Sequence, residues 1–250
     1  MSPEGTPAMT KPRAVLLTSG GLNSAVLTAL TREDHDLCAL HVRFGHRAAD
    51  REHELFTRQS ERFGIKERLT FDLPAFEAVG GSARVNRKKQ IEDVLSLGEA
   101  ESDCHTPGLI GSLVSAALHW AAHLGAHKIF IGISENLGPP GPRTCDVFPE
   151  YSRDYLQLLE QSLQVAYPWR RISLEAPLLD MPRGEIVRLG QRLKAPFELT
   201  WSCLSSGTKP CGGCIGCATR QRGFLDAIVP DPLAAAGPHA LTPDAQSVHA

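Results

Sequence analysis

Short apolar runs alternate along the chain with longer segments whose apolar residues recur every three or four positions. The runs are Ala14–Leu17, Leu37–Val42, Arg68–Phe71 and Lys128–Ile133, each the length of a buried strand. Ala25–Leu30 and Asp50–Phe63 between them suit helices. The stripe Leu109, Ile110, Leu113, Val114, Ala117, Leu118, Ala121 and Leu124 traces one face of a helix. Phe148–Val165, Arg183–Leu193 and Gly216–Ala227 predict three more helices, and no internal repeat is present. This β-α-β-α order predicts a parallel sheet covered by helices.

Two stretches break the pattern. Residues 80–106 are polar, carry Arg84, Arg87, Lys88 and Lys89, and predict an insertion or flap. Gly138-Pro139-Pro140-Gly141-Pro142-Arg143 excludes regular structure just beyond a strand's C-terminal end, where ligand-covering loops belong. From Pro230 onward, small residues and prolines predict a disordered tail.

The 250 residues are 42% hydrophobic, enough for one substantial core with a small appendage. A net charge of −2 and a pI near 6.5 provide no global basic field, so nucleic acid is not an expected partner. Met1 to Pro12 lacks a signal-peptide apolar region and no run is long enough to span a bilayer, so a cytoplasmic protein off the membrane is expected.

Four of the seven cysteines are concentrated in Cys203-x7-Cys211-x2-Cys214-x2-Cys217. Close pairs with Gly212, Gly213 and Gly216 among them form tight thiolate knuckles suited to tetrahedral zinc. An iron–sulfur cluster is the competing metal, without the ferredoxin-type run that ends in Cys-Pro. Four thiolates leave zinc no open position, so a structural staple is expected. Cys38 reads as a small buried hydrophobe, while Cys104 and Cys145 fall in polar segments.

Ser19-Gly20-Gly21-Leu22-Asn23-Ser24 follows the first strand and opens the first helix. That placement aims backbone N–H groups and a helix N-terminus at an anion; an ordinary turn with Ser24 as N-cap is the alternative. The segment is similar to the SGGxDS pyrophosphate loop of adenylating enzymes, with Asn23 where Asp is usual. His119 and His123 are spaced i, i+4 without the carboxylate of a zinc helix motif, so packed or surface histidines are expected. Arg84, Arg87, Lys88 and Lys89 read as a solvated patch or a phosphate contact. Phe44 and Trp201 suit either purine stacking or the core.

The order of features resembles the 7-cyano-7-deazaguanine synthase (QueC) family over about residues 13–228. The matching residues are the Ser19–Ser24 loop and Phe44-Gly45-His46-Arg47, where the family tends to have Tyr-Gly-Gln-Arg. They continue with Pro107-Gly108 before a long helix and with Ala176-Pro177-Leu178-Leu179-Asp180 before Glu185-Ile186-Val187. The last block is Leu199-Thr200-Trp201-Ser202-Cys203 leading into the other three cysteines, followed by Arg220 and Phe224.

The resemblance implies a doubly wound parallel sheet of the adenine nucleotide alpha-hydrolase-like (PP-loop) type with a C-terminal zinc-bound segment. Its implied parts are a flexible N-terminus 1–12, an ATP-binding domain 13–200, a four-cysteine segment and helix 201–228, and a tail 229–250. The implied reaction activates the carboxylate of 7-carboxy-7-deazaguanine with ATP and Mg²⁺, then forms the amide and the nitrile with ammonia. Ser19, Asn23, Ser24 and Arg183, which takes the place of a family lysine, are the implied catalytic residues. Leu17, Thr18, Ser19, Gly20, Gly21, Leu22, Asn23, Ser24, Phe44 and Arg47 are the implied nucleotide contacts, and Cys203, Cys211, Cys214 and Cys217 the zinc ligands. A homodimer is compatible with the family.

Three departures bear on function. Asn23 replaces Asp, Leu109-Ile110 replace an Arg-Asn pair, and Cys145–Glu150 blurs a Tyr-Pro-Asp-Cys segment. Asp146 and Glu150 are the acidic candidates to replace magnesium ligation lost at Asn23. Three readings follow: a working synthase, a paralogue passing the activated carboxylate to another amine (for example on a protein), and an inactive nucleotide- or nucleobase-binding subunit. A tRNA-thiolating relative is a minor rival.

Overall fold

Strand β1 (Arg13–Leu17) lies at the centre of a five-stranded, all-parallel sheet whose order is β3-β2-β1-β4-β5. The computed structural model describes residues 11–97, 101–135 and 148–234. The other strands are β2 (Asp36–Arg43), β3 (Arg68–Asp72), β4 (Lys128–Ile131) and β5 (Ser173–Glu175). The helices are α1 (Leu22–Thr31), α2 (Ala49–Phe63), α3 (Ala75–Val79), α4 (Leu109–Leu124), α5 (Arg153–Ala166), α6 (Arg183–Arg192) and α7 (Ile215–Ala227). The doubly wound α/β class expected from the sequence is the one observed.

The two faces of β1 explain its uninterrupted apolar run. Val15 and Leu17 pack with Ile129, Ile131 and the Ile110–Val114–Ala117–Ala121 stripe of α4. Ala14 and Leu16 point the other way, into Val26 and Leu27 of α1, Ile186 and Val187 of α6 and Phe224 of α7. A strand with helices on both faces has no polar side to alternate with. Cys38 sits in the first of these cores, and burial pushes its thiol up to about 11. His119 and His123 are exposed on α4, as surface histidines.

Several boundaries differ from expectation. The helix expected over 148–165 is a 3₁₀ turn at Pro149–Tyr151 followed by α5, because the Ser152 side chain accepts from the Tyr155 N–H and starts the helix there. Strand β5 has one apolar residue, and α3, five residues long with none buried, is too short to show a helical period. Of the tail expected from 229, residues 229–234 are described and are ordered. Asp231 holds Arg220 through Nε–Oδ2 at 2.8 Å and Nη2–Oδ1 at 2.7 Å, which ties residues 229–234 to α7. Residues 138–143, Cys145, Asp146, residues 1–10 and residues 235–250 lie outside the described residues.

Candidate active site

The sheet order reverses at β1 and β4, and the crevice beyond their C-terminal ends is where open α/β sheets bind ligands. Ser19–Ser24 occupies that point. Gly20 has φ +73°, and a Cβ there would lie 2.6 Å from the Glu52 carbonyl oxygen, so only glycine lets the loop meet α2. Gly21, not Ser24, is the N-cap of α1, and no side chain caps the helix. Ser24 sits in the first turn, where its hydroxyl accepts the Ser19 N–H at 3.1 Å and lies 3.4 Å from the Ser19 hydroxyl. The uncapped first turn of α1 therefore presents its N–H groups to the crevice.

The crevice has two adjoining lobes, of about 190 and 170 Å³. Ser19, Asn23, Ser24, Glu52, Arg84 and Arg183 line both. Gly21 and Leu22 line the first only, Leu17, Thr18 and Phe44 the second only, and Gly20 and Arg47 neither. Thus most residues expected to contact nucleotide converge here.

Arg183 is the first residue of α6, and its Nη1 donates to Asn23 Oδ1. Burial pushes its guanidinium down to about 10, still a cation at neutral pH, and its buried Nε has no hydrogen-bond partner. A cation at a helix N-terminus opposes that helix's dipole. Here it joins the N-terminus of α1, so two sources of positive potential point at one space.

Arg47 is turned elsewhere. Its Nη2 donates to the Asn86 carbonyl at 2.8 Å and to that of Lys89, and its N–H donates to the Arg84 carbonyl at 2.9 Å. Arg47, expected among the nucleotide contacts, pins the 84–89 segment and lines neither lobe. Phe44 is 4% exposed, stacked by the His46 ring at 4.0 Å and covered by the Arg84 guanidinium at 5.0 Å. With those partners it is a wall of the second lobe and not a free stacking platform. Trp201 is 2% exposed and packs among Ala48, Leu55 and the cysteines, where it also borders the first lobe. Glu150, a magnesium candidate in the sequence, instead accepts from the Gly108 and Ile110 N–H groups at 2.6 and 2.9 Å and caps α4.

Sequence reasoning missed Glu52. Its Oε2 accepts from buried His46 Nε2 at 2.9 Å while its side chain lines both lobes. Burial by itself would raise the Glu52 carboxyl, but His46, and then Arg84 and His41, hold it below the ordinary carboxylate value. No spacing rule joins residues 46 and 52 across the start of α2, so no local signal marked the pair.

The four sulfurs of Cys203, Cys211, Cys214 and Cys217 all lie within 4.8 Å of one another. Cys211–Cys217 and Cys203–Cys214 are 3.9 and 4.0 Å apart, close to the roughly 3.8 Å edge of a tetrahedron with 2.3 Å zinc–sulfur bonds. Backbone N–H groups of Leu204, Ser205 and Cys211 donate to sulfur at 3.5, 3.4 and 3.3 Å. Hydrogen bonds from Cys214 and Cys217 lower the Cys203 thiol, while the bond to Cys203 raises Cys214 to about 12 and raises Cys217 further. Four such groups ionise together only around a cation, so the set fits zinc. A Cβ on Gly216 would fall 1.9 Å from the Ser202 carbonyl oxygen, which shows how tightly the knuckle closes on the segment after Trp201.

The family model for the queuosine biosynthesis protein QueC matches residues 13–228, from β1 through α7. The chain belongs to the QueC family. A 7-cyano-7-deazaguanine synthase of Chlorobaculum tepidum is 36% identical over 222 residues, covering 88% of this chain and 95% of that one. The synthase of Koribacter versatilis is 35% identical, with 88% and 92% covered, and that of Methanothrix thermoacetophila 35%, with 88% and 97%. Among solved structures, NMN synthetase from Francisella tularensis is 15% identical with a TM-score of 0.45, covering 89% of this chain and 79% of that one. NH3-dependent NAD synthetase from Campylobacter jejuni is 12% identical with a TM-score of 0.41, covering 77% and 68%. No described helix of this QueC-family chain is long and apolar enough to cross a membrane.

Proposed function

We propose that this chain is an ATP-dependent C–N ligase that activates the carboxylate of 7-carboxy-7-deazaguanine, then forms the amide and the 7-cyano product with ammonia. The observation that carries the reading is the Ser19–Ser24 loop at the sheet's switch point, with Arg183 reaching into the same crevice, in a chain whose relatives are 7-cyano-7-deazaguanine synthases. A carboxylate is a poor electrophile. Attack of its oxygen on the α-phosphorus of ATP breaks the α–β bridge and releases pyrophosphate, leaving an acyl-adenylate. Ammonia then attacks the acyl carbon and expels AMP with loss of a proton. In a second round the amide oxygen is adenylated, and AMP departs as the amide nitrogen loses two protons and the C≡N bond forms.

The protein's task in each round is to hold negative charge on the leaving phosphates. The first-turn N–H groups of α1, the Ser19 and Ser24 hydroxyls and the Arg183 guanidinium are assigned that task. Mg²⁺, bound together with ATP, would neutralise further phosphate charge. Asn23 orients Arg183 and carries no charge of its own. Zinc held by the four cysteines clips α7 onto the sheet domain and takes no part in the chemistry.

The test is to supply the zinc-loaded protein with ATP, Mg²⁺, the deazaguanine acid and ammonium, then follow AMP and the nitrile by mass spectrometry. Acid-dependent AMP with nitrile is expected. AMP without nitrile transfers the case to the paralogue with another amine acceptor, and no AMP with intact ligand binding transfers it to the inactive subunit.

A further inference from the structure

Three arginines line the crevice, and their partners differ. Arg220 is occupied: it holds Asp231 twice, donates to Thr200 Oγ1 at 2.6 Å and to the Phe197 carbonyl at 3.3 Å. Arg183 reaches Asn23. Arg84 lines both lobes, has no ion-pair partner among the described residues, and its buried Nε lacks a hydrogen-bond partner. Glu52 feels its charge, but that carboxylate already has His46 at 2.9 Å.

Arg84 is also held in place. Its N–H donates to Ser82 Oγ at 3.1 Å, and its carbonyl accepts the Arg47 N–H at 2.9 Å. Ala83 and Val85 on either side are 0% and 4% exposed, and the guanidinium lies over Phe44. Arg87, Lys88 and Lys89, three to five residues on, are exposed. One member of the basic stretch is thus turned inward and the rest face solvent. A buried Nε–H with no acceptor is destabilising unless a ligand meets it.

Arg84 and Arg183 are the two cationic side chains that line the second lobe among the described residues. Glu150 fills the N-terminus of α4, and Leu109 there packs with Phe44 and Val85.

We propose that Arg84 is a second anion-binding residue of the crevice. From the β2 side it takes the anionic oxygens of the acid substrate's carboxylate or of the nucleotide's phosphates, while Arg183 works from α6. The proposal rests on the ATP and acid chemistry of the preceding section for its ligands, not for its geometry.

Calorimetric titration of the zinc-loaded full chain tests it, with inorganic pyrophosphate, Mg²⁺–ATP, 7-carboxy-7-deazaguanine and uncharged 7-deazaguanine as probes. Arg84→Met, which keeps an apolar stem over Phe44, is expected to weaken at least one anionic ligand tenfold or more. Arg84→Lys should recover part of the loss, 7-deazaguanine should bind within twofold of wild type, and the exposed control Arg87→Met should change nothing. Loss confined to the acid assigns Arg84 to the carboxylate; loss for pyrophosphate and ATP assigns it to the phosphates. Anion affinities within twofold of wild type, equal losses for 7-deazaguanine, or no anion binding by wild type would overturn the proposal. Should Arg84→Met not fold, wild type is treated with phenylglyoxal: Arg84 shielded by pyrophosphate or the acid supports the assignment, and unshielded Arg84 sinks it. Wild type that binds anions through Arg84 yet releases no AMP removes the proposed reaction and leaves this residue's role standing.

Discussion

Asn23 and Arg183, 160 residues apart in sequence, are joined by one hydrogen bond at the Ser19–Ser24 loop. The resemblance read from the sequence sets Asp and Lys at these two positions, and the structure makes Asn23 and Arg183 partners. A carboxylate at 23 would pair with the guanidinium; the neutral amide orients Arg183 and leaves its charge available to an anion.

The two positions should therefore be coupled. Asn23→Asp alone is expected to change the magnesium requirement for ATP less than threefold, because Arg183 captures the new carboxylate. Asn23→Asp with Arg183→Lys should lower the half-saturating magnesium concentration about tenfold, since a lysine holds the carboxylate without a bidentate fork. A double-mutant cycle on AMP release checks this, and additive effects would show the residues to be independent.

Glu150→Gln should separate capping from metal binding. Removing the charge from the carboxylate that accepts the Gly108 and Ile110 N–H groups is expected to cost about 1 kcal/mol in urea unfolding. The magnesium dependence of ATP binding should stay as in wild type, because this carboxylate is committed to α4.

Asp231→Asn leaves Arg220 buried at 5% exposure without its countercharge. Losing one partner of a buried ion pair costs about 3–5 kcal/mol, so the unfolding midpoint in urea should fall sharply. A change below 1 kcal/mol would mean that the pair is open in solution.

Cys214→Ser is expected to abolish stoichiometric zinc, measured by release into a chromogenic chelator, and to lower the melting temperature markedly. Cys38→Ala, in the sheet core and away from the cluster, should retain one zinc per chain while losing packing energy. Full zinc content in Cys214→Ser would displace that residue from the ligand set.

Acid should destabilise the protein through His41 before it reaches the carboxylates. Burial at 1% exposure lowers its pKa to about 4 against a Thr18 carbonyl contact at 3.0 Å, with Glu52, His53 and His46 nearby. A histidine depressed in the folded state leaves stability intact above its ordinary value of 6.5 and removes it as pH falls toward 4. The loss is on the order of 3 kcal/mol by pH 4. His41→Asn, though less stable overall, should flatten the unfolding free energy across that window.

Much of this was legible before folding. The apolar runs marked β1 to β4, and the 109–124 stripe marked α4 to the residue, because strands covered on both faces and a helix facing the core carry their environment in their own periodicity. The cysteine spacing marked the metal cluster for a similar reason: a zinc knuckle is built within a few residues. Strand β5 was silent because Ser173–Glu175 contains one apolar residue and is placed by its pairing with β4.

The sequence by itself determined the layering of the fold, the position of the Ser19–Ser24 loop and the four-thiol centre, all of which depend on neighbours close along the chain. Only the tertiary structure decided how each charge is used. Arg47 pins a loop, Glu150 caps a helix, Arg220 holds Asp231, Glu52 pairs with His46, and Arg84 and Arg183 remain at the crevice. The reason is physical: a charged side chain takes its role from whatever lies within a few ångströms, and folding brings those partners from 6 to 160 residues away.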